Sequence, residues 1–219
     1  MHPKRGKFIT FEGLDGVGKT TQLELLAVRL REKGLDVIVT REPGGTVVGE
    51  KLRAVLLDSK TSGLSPLAEM ALMFADRAQH IDEQILPALE RGQWVLCDRF
   101  TDSSEAYQGA GRGLGSETVR RLHKTLCHDL QPDLTILMVS DPASSVSRAR
   151  LRNTQKSQES SLDENRFEKE NLAFYKRVHE GFKQIAVREP QRVVKINARE
   201  TVEKVQKKIA AAVEKRLGT

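Results

Sequence analysis

The 219-residue sequence is poor in cysteine, with only Cys97 and Cys127, and neither belongs to a Cys-x-x-Cys pair. We therefore expect neither a disulfide scaffold nor a zinc-thiolate site, and a cytoplasmic location suits the chain. The sequence also lacks any apolar run close to the roughly 20 residues that a membrane-spanning helix needs, so no membrane partner is expected. Residues 1–7 are basic, but a short strand-like run follows them instead of the apolar region of a secretory signal.

Aromatic residues make up only 5% of the chain, whereas its formal net charge is +6. A basic protein can bind a nucleic acid or small polyanions. Most arginines here stand singly, beside glycine, aspartate or aromatic residues, and the sequence carries no RRM signature, zinc-finger signature or series of stacking aromatics. We therefore expect no nucleic-acid partner and favour phosphate-bearing metabolites as ligands.

The spacing of apolar residues predicts strands that alternate with helices in one domain, residues 1–219. Glycines at 109–115 predict a loop, and a helix that begins near Val146 is expected to dissolve into a polar stretch at 153–165. Because strands separated by helices form parallel sheets covered on both faces, we expect a three-layer α/β/α fold with five parallel strands. The predicted strands are 7–12, 36–40, 94–97, 134–139 and 192–196, and the other predicted helices are 20–33, 48–57, 67–91, 117–127, 167–187 and 201–217.

The motif with the most specific chemistry lies at residues 13–20, Gly-Leu-Asp-Gly-Val-Gly-Lys-Thr, which match G-x-x-x-x-G-K-[ST] in full between a predicted strand and a predicted helix. Such a P-loop turns backbone N–H groups toward phosphate oxygens, and the helix N-terminus adds partial positive charge. Lys19 is expected to reach the β- and γ-phosphates of ATP, and Thr20 to bind Mg²⁺ through its hydroxyl. The predicted triphosphate site comprises Gly13, Leu14, Asp15, Gly16, Val17, Gly18, Lys19, Thr20 and Thr21.

A P-loop alone does not distinguish a GTPase, a motor or transport ATPase, and a small-molecule kinase. The sequence has no N-K-x-D element to read guanine, and motor ATPases usually have longer chains. The remaining class is a kinase for small phosphorylated acceptors. Such an enzyme needs arginines in its acceptor site to hold a second phosphate group. A kinase for another nucleoside monophosphate or for a deoxynucleoside, and an ATP-binding regulatory module, stay open as alternatives.

The sequence resembles the thymidylate kinase family from Phe8 to the last helix. The resemblance implies a P-loop kinase fold with a mobile lid, transfer of the γ-phosphoryl group of MgATP to thymidine monophosphate (dTMP), and a homodimer that uses the helix from Leu67. It is carried by residues 11–22 (FEGLDGVGKTTQ), 40–46 (TREPGGT), 50–53 (EKLR), 74–80 (FADRAQH), 98–100 (DRF) and 106–113 (AYQGAGRG).

The resemblance also implies roles between donor and acceptor. Asp98 follows a buried strand and would reach Mg²⁺, directly or through water. Arg99 would act catalytically as a clamp between the acceptor and donor phosphates. Asp15 would lie near the sugar and phosphate of the acceptor.

For the acceptor itself, the resemblance implies that Arg53 holds the phosphate and that Arg77 reads the thymine carbonyl. The family pattern puts the base-stacking aromatic residue four positions before that arginine, where this chain has Met73. Because residues three and four positions apart share a helix face, we expect Phe74 to stack on the base instead. The other expected dTMP-binding residues are Glu42, Pro43, Ser104, Tyr107 and Gln108.

The lid is expected at about residues 148–166. Residues 14–17 hold no arginine, so the positive charge on the transferring phosphate must come from elsewhere, as in the bacterial branch of the family, whose lid arginines supply it. Arg148 is expected on ATP, Arg150 and Arg152 in catalysis, with Arg166 at the end of the lid, although the same stretch also fits a solvated charged loop. Asn197 is expected beside the adenine.

Overall fold

Five parallel strands form one sheet in the computed structural model, which describes residues 5–159 and 164–218, without the side chains of 150 and 152–159. The spatial order is β2-β3-β1-β4-β5. The predicted number of strands and their parallel pairing are confirmed. The strands are β1 (Phe8–Glu12), β2 (Val37–Arg41), β3 (Trp94–Asp98), β4 (Leu134–Val139) and β5 (Val193–Asn197).

Helices connect the strands. Between β3 and β4 the short α5 continues into a π-helical segment, Glu105–Gly111, and a 3₁₀ turn, Phe167–Lys169, precedes α8. No helix among the described residues is long and apolar enough to cross a membrane. The helices are α1 (Lys19–Glu32), α2 (Val47–Leu57), α3 (Pro66–His80), α4 (Leu86–Glu90), α5 (Thr101–Ser104), α6 (Ser116–Leu126), α7 (Pro142–Glu159), α8 (Leu172–Arg188) and α9 (Val202–Leu217).

Apolar layers cover both faces of the sheet, because successive residues of a strand point to opposite sides. In β1, Phe8 packs in a cluster with side chains of α3 and α6, whereas Ile9 and Phe11 pack in a second cluster with side chains of α1, α8 and α9. In β3, Val95 and Leu96 divide in the same way. This confirms the expected three-layer α/β/α fold.

The helix predicted at 67–91 contains a π-helical turn, Ile81–Ile85, between α3 and α4. Pro87 lacks the N–H that an α-helix would direct to the carbonyl of Glu83, and the wider turn accommodates this loss. The Leu86 N–H accordingly donates to the Ile81 carbonyl, five residues earlier.

The loop predicted at 109–115 is wrong in its first half, because Gly109 and Gly111 lie in the π-helical segment. Gly111 serves close packing, because a Cβ there would lie 2.7 Å from the Phe174 ring of α8. Gly113 and Gly115, which have positive φ angles of 77° and 84°, do form the turn.

The polar stretch expected from 153 onward is also wrong in its first part, since α7 runs to Glu159. Polar composition does not exclude a helix, because Gln, Lys, Glu and Arg all have good helix propensity. The rest of that stretch includes residues 160–163, which lie outside the described residues.

Candidate active site

The P-loop joins the carboxyl end of β1 to α1. Gly18 caps α1 with a left-handed φ of 91°, and a Cβ on Gly13 would lie 2.4 Å from the Met138 carbonyl oxygen. Lys19 is 6% exposed, and its ammonium donates to the carbonyls of Gly13 (3.3 Å) and Leu14 (3.0 Å). Burial, followed by the charge of Arg99, lowers the pKa of Lys19. A buried cation held mainly by neutral carbonyls is suited to a polyphosphate.

The two residues predicted to bind Mg²⁺ meet beside the P-loop. The Thr20 hydroxyl donates to Oδ2 of Asp98, at the end of β3, over 2.8 Å. The other oxygen, Oδ1 of Asp98, is buried and has no hydrogen-bond partner among the described residues. A hydroxyl beside a carboxylate with an unused oxygen fits the oxygen ligands that Mg²⁺ prefers.

Three side chains form a compact group opposite Lys19. Arg99 directs one guanidinium nitrogen, Nη2, to Asp15 Oδ1 at 2.6 Å, and its Nη1 to the Gly13 carbonyl at 3.1 Å. The Tyr107 hydroxyl donates to the other oxygen of Asp15 at 2.9 Å. Although burial opposes it, the charges of Arg99 and Lys19 hold the pKa of Asp15 well below its usual range. Asp15 is therefore a permanent anion that fixes Arg99 beside the P-loop.

Glu12, the last residue of β1, is a functional neighbour that sequence reasoning missed. It is fully buried, accepts the Phe100 N–H at 2.8 Å, and lies 2.5 Å from the Ser103 hydroxyl. Burial, followed by the charge of Asp102, raises the pKa of Glu12 to about 8. Glu12 thus holds the start of α5 beside Arg99. The signal in the sequence was an acid that ends an otherwise apolar strand.

Arg77 of α3 is only 2% exposed and is held by three elements. Its Nε donates to Glu42 Oε2 at 2.7 Å, and its Nη2 donates to the Ser104 hydroxyl at 2.9 Å and the Phe100 carbonyl at 3.2 Å. The remaining nitrogen, Nη1, is buried without a partner in the described part of the chain. Arg77 also lines the cavity.

The expected stacking of a base on Phe74 is wrong in this structure. Phe74 has no exposed surface, packs with Phe8, Met70 and Phe100, and has the Arg77 guanidinium over its ring at 4.9 Å. Met73, one residue earlier, lines the cavity instead. Both residues lie near Arg77 on the helix, but Phe74 shares with Met70 the apolar face of α3 that packs against the core.

Arg53 on α2 is paired with a carboxylate. It makes a bidentate contact with Glu164, with its Nε and Nη2 at 2.7 and 2.8 Å from the two carboxylate oxygens, while its Nη1 donates to the Pro43 carbonyl at 2.8 Å. Carboxylates and phosphates both match the guanidinium fork. The carboxylate of Glu164 therefore accepts from the same N–H groups of Arg53 that a phosphate would use.

The end of the expected lid is fastened to α2 and α3. Arg166 Nη1 donates to the buried Glu69 carboxylate at 2.7 Å, and the Arg166 N–H donates to the Leu57 carbonyl at 3.0 Å. Glu69 also accepts from Gln108 at 2.8 Å and from Arg112. Arg166 is therefore an anchor at the end of the expected lid, and Glu69, which sequence reasoning missed, joins it to Gln108.

The remaining predicted residues are those expected to contact ATP or the transferring phosphate. Arg148, in the second turn of α7, donates to the Ser140 hydroxyl at 3.0 Å. Helix α7 passes so close to the P-loop that a Cβ on Gly16 would lie 2.5 Å from the Ser145 carbonyl oxygen. Thr21 and Asn197 are exposed and do not line the cavity. The side chains of Arg150 and Arg152 lie outside the described residues.

One cavity of about 760 Å³ connects the P-loop to Arg77. Its walls bring together twelve of the predicted residues at the carboxyl edge of the sheet, where open α/β sheets bind ligands. The predicted residues that line it are Asp15, Lys19, Thr20, Glu42, Pro43, Arg53, Arg77, Asp98, Arg99, Ser104, Tyr107 and Gln108.

The match to known proteins decides the family. The family model described as thymidylate kinase matches residues 11–209. This chain belongs to the thymidylate kinase family. The resemblance expected from its motifs is thereby confirmed.

Individual thymidylate kinases are similar along nearly the whole chain. The enzyme of Desulforapulum autotrophicum is 47% identical over 211 residues, which cover 96% of this chain and 92% of that protein. The thymidylate kinase of Pelobacter propionicus is 45% identical, with 95% and 94% covered. The crystal structure of thymidylate kinase from Ehrlichia chaffeensis shares 32% identity and a TM-score of 0.74, and the match covers 96% of this chain and 99% of that one.

Proposed function

We propose that this chain transfers the γ-phosphoryl group of ATP to dTMP, forming dTDP and ADP, as a step toward dTTP. The observation that carries the proposal is the single cavity that joins a complete P-loop to an acceptor wall, with Arg99 between them. Phosphoryl transfer needs little covalent chemistry from the protein; it needs the two substrates in line and their charges neutralised.

On the donor side, the P-loop N–H groups and Lys19 would hold the triphosphate. Thr20 and Asp98 would hold Mg²⁺, directly or through its water, and the unused Asp98 oxygen supports this assignment. Bound Mg²⁺ would neutralise charge on the phosphate oxygens. Arg148, with Arg150 and Arg152, would bring positive charge to the donor when the lid, about residues 148–166, closes.

On the acceptor side, the free Nη1 of Arg77 would donate to the carbonyl at position 4 of thymine. Cytosine carries an amino group there, so two donors would face each other and dCMP would be disfavoured. Met73 would contact the base, Tyr107 the deoxyribose and Gln108 the edge of the base. The Tyr107 ring would leave no room for a 2′-hydroxyl, and Arg53 would hold the phosphate.

We also propose a homodimer in the cytoplasm, with α3 at the interface. Leu67, near the start of α3, is 61% exposed, and Val55 on the neighbouring α2 is 46% exposed. Large apolar side chains at the surface of adjacent helices are typical of a face that is covered in an assembly.

The function is tested by incubating the protein with MgATP and a panel of acceptors: dTMP, dUMP, dCMP, AMP, GMP and thymidine. We expect the highest kcat/KM for dTMP. We expect dUMP to be a poor but real substrate, because one methyl group is worth only about 1–3 kcal/mol. Preference for AMP, dCMP, GMP or thymidine would contradict the assignment.

The Arg53–Glu164 pair leads to a prediction about acceptor affinity. Since the acceptor phosphate has to displace Glu164, Glu164→Gln is expected to lower KM for dTMP about two- to fivefold, the range of one partly exposed ion pair. Steady-state kinetics with dTMP as the varied substrate measure the effect. Glu117→Gln, which removes a carboxylate paired with Arg121 on the exposed face of α6, is the matched control. An unchanged or higher KM in Glu164→Gln would show that the two anions do not compete.

A further inference from the structure

A buried chain of hydrogen bonds continues from Arg77 to a histidine. Glu42, which accepts from Arg77 through Oε2, places its other oxygen 3.0 Å from Nδ1 of His80. His80 Nε2 lies 2.7 Å from the Thr40 hydroxyl and 3.0 Å from Gln84 Oε1. His80 is completely buried and does not line the cavity, whereas Arg77 and Glu42 do. Resting on the proposed role of Arg77, we propose that His80 is a positioning residue that orients Arg77 through Glu42.

The hydrogen-bond partners of His80 fix the role of one ring nitrogen. Nδ1 faces a carboxylate and must donate. Nε2 faces the Thr40 hydroxyl and Gln84 Oε1, which lie 2.8 Å from each other. Burial favours the neutral ring, but the hydrogen bond and the charge of Glu42 prevail and raise the pKa of His80.

Arg77 and His80 thus hold one carboxylate from both sides. Each oxygen of Glu42 has its own directional partner, so the carboxylate cannot rotate without breaking a bond to Arg77 or to His80. A fixed carboxylate fixes the plane of the guanidinium, and that plane sets the direction of its free Nη1. Without His80, Glu42 would keep its charge but lose the bond that holds its orientation.

The surrounding residues pack tightly against this series of hydrogen bonds. A Cβ on Gly45 would lie 2.6 Å from His80 Nε2 and 2.7 Å from the Thr40 hydroxyl oxygen. Asp76, next to Arg77 on α3, accepts the Gly44 N–H at 2.9 Å, and burial followed by the charge of Glu42 raises its pKa to about 7. Side chains of α3, the helix that carries Arg77, therefore also hold the turn that follows Glu42.

A metal site is the competing reading, because ligand atoms of Glu42, His80 and Cys97 lie within 4.8 Å of one another. The contacts oppose it. Both nitrogens of His80 already face protein oxygens, and Glu42 is shared with the Arg77 guanidinium, so a divalent cation would enter beside the positive charge of Arg77.

Substitutions at His80 in the full-length enzyme test the proposal. The amide nitrogen of asparagine stands near the position of Nδ1, so His80→Asn keeps a donor for Glu42. Glutamine places its nitrogen near Nε2, and leucine provides no donor. We expect His80→Leu and His80→Gln to raise KM for dTMP about tenfold and to reduce the preference for dTMP over dCMP, with KM for ATP nearly unchanged. His80→Asn should restore most of both properties.

The matched control is His123→Leu. His123 is a second buried histidine, 2% exposed, bonded to the Thr101 hydroxyl at 2.8 Å and the Leu130 carbonyl at 2.9 Å. It makes no hydrogen bond to Glu42 or Arg77 among the described contacts. We expect His123→Leu to leave the preference for dTMP over dCMP unchanged.

The outcomes separate the positioning role from simple packing. Equal KM for dTMP in His80→Asn and His80→Gln would overturn the proposal, and this comparison suffices if His80→Leu does not fold. If His123→Leu loses as much of the preference for dTMP over dCMP as His80→Leu does, the proposal is also overturned. A higher KM for dTMP after treatment with a zinc chelator in excess Mg²⁺ would overturn it as well.

A separate variant tests the role of Arg77 on which the proposal rests. If Arg77→Met leaves KM for dTMP unchanged, the proposed role of Arg77 itself fails.

Discussion

Lys19→Ala is expected to lower kcat by about three orders of magnitude, the scale on which a fixed cation at a transferring phosphate acts. Lys19 is 6% exposed and reaches back over the P-loop carbonyls, so it is in place before ATP arrives. Since negative charge shifts among the phosphate oxygens in the transition state, the loss should fall mainly on kcat, with a smaller rise in KM for ATP.

Steady-state and single-turnover kinetics at saturating dTMP would measure this effect. Lys33→Ala is the control: Lys33 lies just beyond the end of α1 and pairs with Glu214 at 2.8 Å on the exposed side of the helix. It should keep normal kinetics. A Lys19→Ala enzyme with normal kcat and raised KM for ATP would show that Lys19 only binds the ground state.

Local patterns in the sequence were enough to predict the position of the P-loop between β1 and α1. The strand, the glycines, Lys19 and Thr20 are contiguous, so their chemistry follows from spacing alone. The meeting of Thr20 with Asp98, 78 residues later, could also be expected, because the carboxyl ends of neighbouring parallel strands share one edge of the sheet.

The acceptor side depended on packing that spacing does not determine. Phe74 and Met73 both lie near Arg77 on a helix, and only the cluster behind α3 decides that Phe74 is covered and Met73 faces the cavity. Glu69 and His80 acquire their roles from partners that are distant along the chain, Gln108 and Glu42. Gly111 looked like a turn residue, because the Phe174 ring that leaves no room for a side chain there lies 63 positions further along the sequence.

Arg99→Ala is the second substitution with a large expected effect, a loss of about 10²–10³ in kcat. Arg99 is held by four contacts, to the Gly13 carbonyl, Ser103, Asp15 and Tyr107, and its φ of 74° lies in the left-handed region that non-glycine residues seldom adopt. A side chain so constrained is oriented before substrate binds, so its loss should affect the transition state more than acceptor binding.

The same substitution changes how Asp15 responds to pH. In the native protein, Arg99 and Lys19 hold the pKa of Asp15 far below its usual value, so the carboxylate stays charged across any practical assay range. Without Arg99, burial favours the protonated form and the pKa of Asp15 rises. The native enzyme should show no acid-side loss from Asp15, whereas Arg99→Ala should lose further activity as pH falls from about 7 to 5.

Arg192→Ala is the matched control for Arg99→Ala, because both arginines hold a carboxylate at nearly equal exposure. The Arg192 side chain is 15% exposed and pairs with Asp102 at 2.7 Å, and the Arg99 side chain is 16% exposed and pairs with Asp15 at 2.6 Å. Arg192 does not line the cavity. Loss of stability should therefore be comparable in the two variants, as thermal unfolding would report, while kcat falls sharply only in Arg99→Ala. Equal losses of kcat in both would attribute the effect to a weakened fold and remove Arg99 from the proposed clamp.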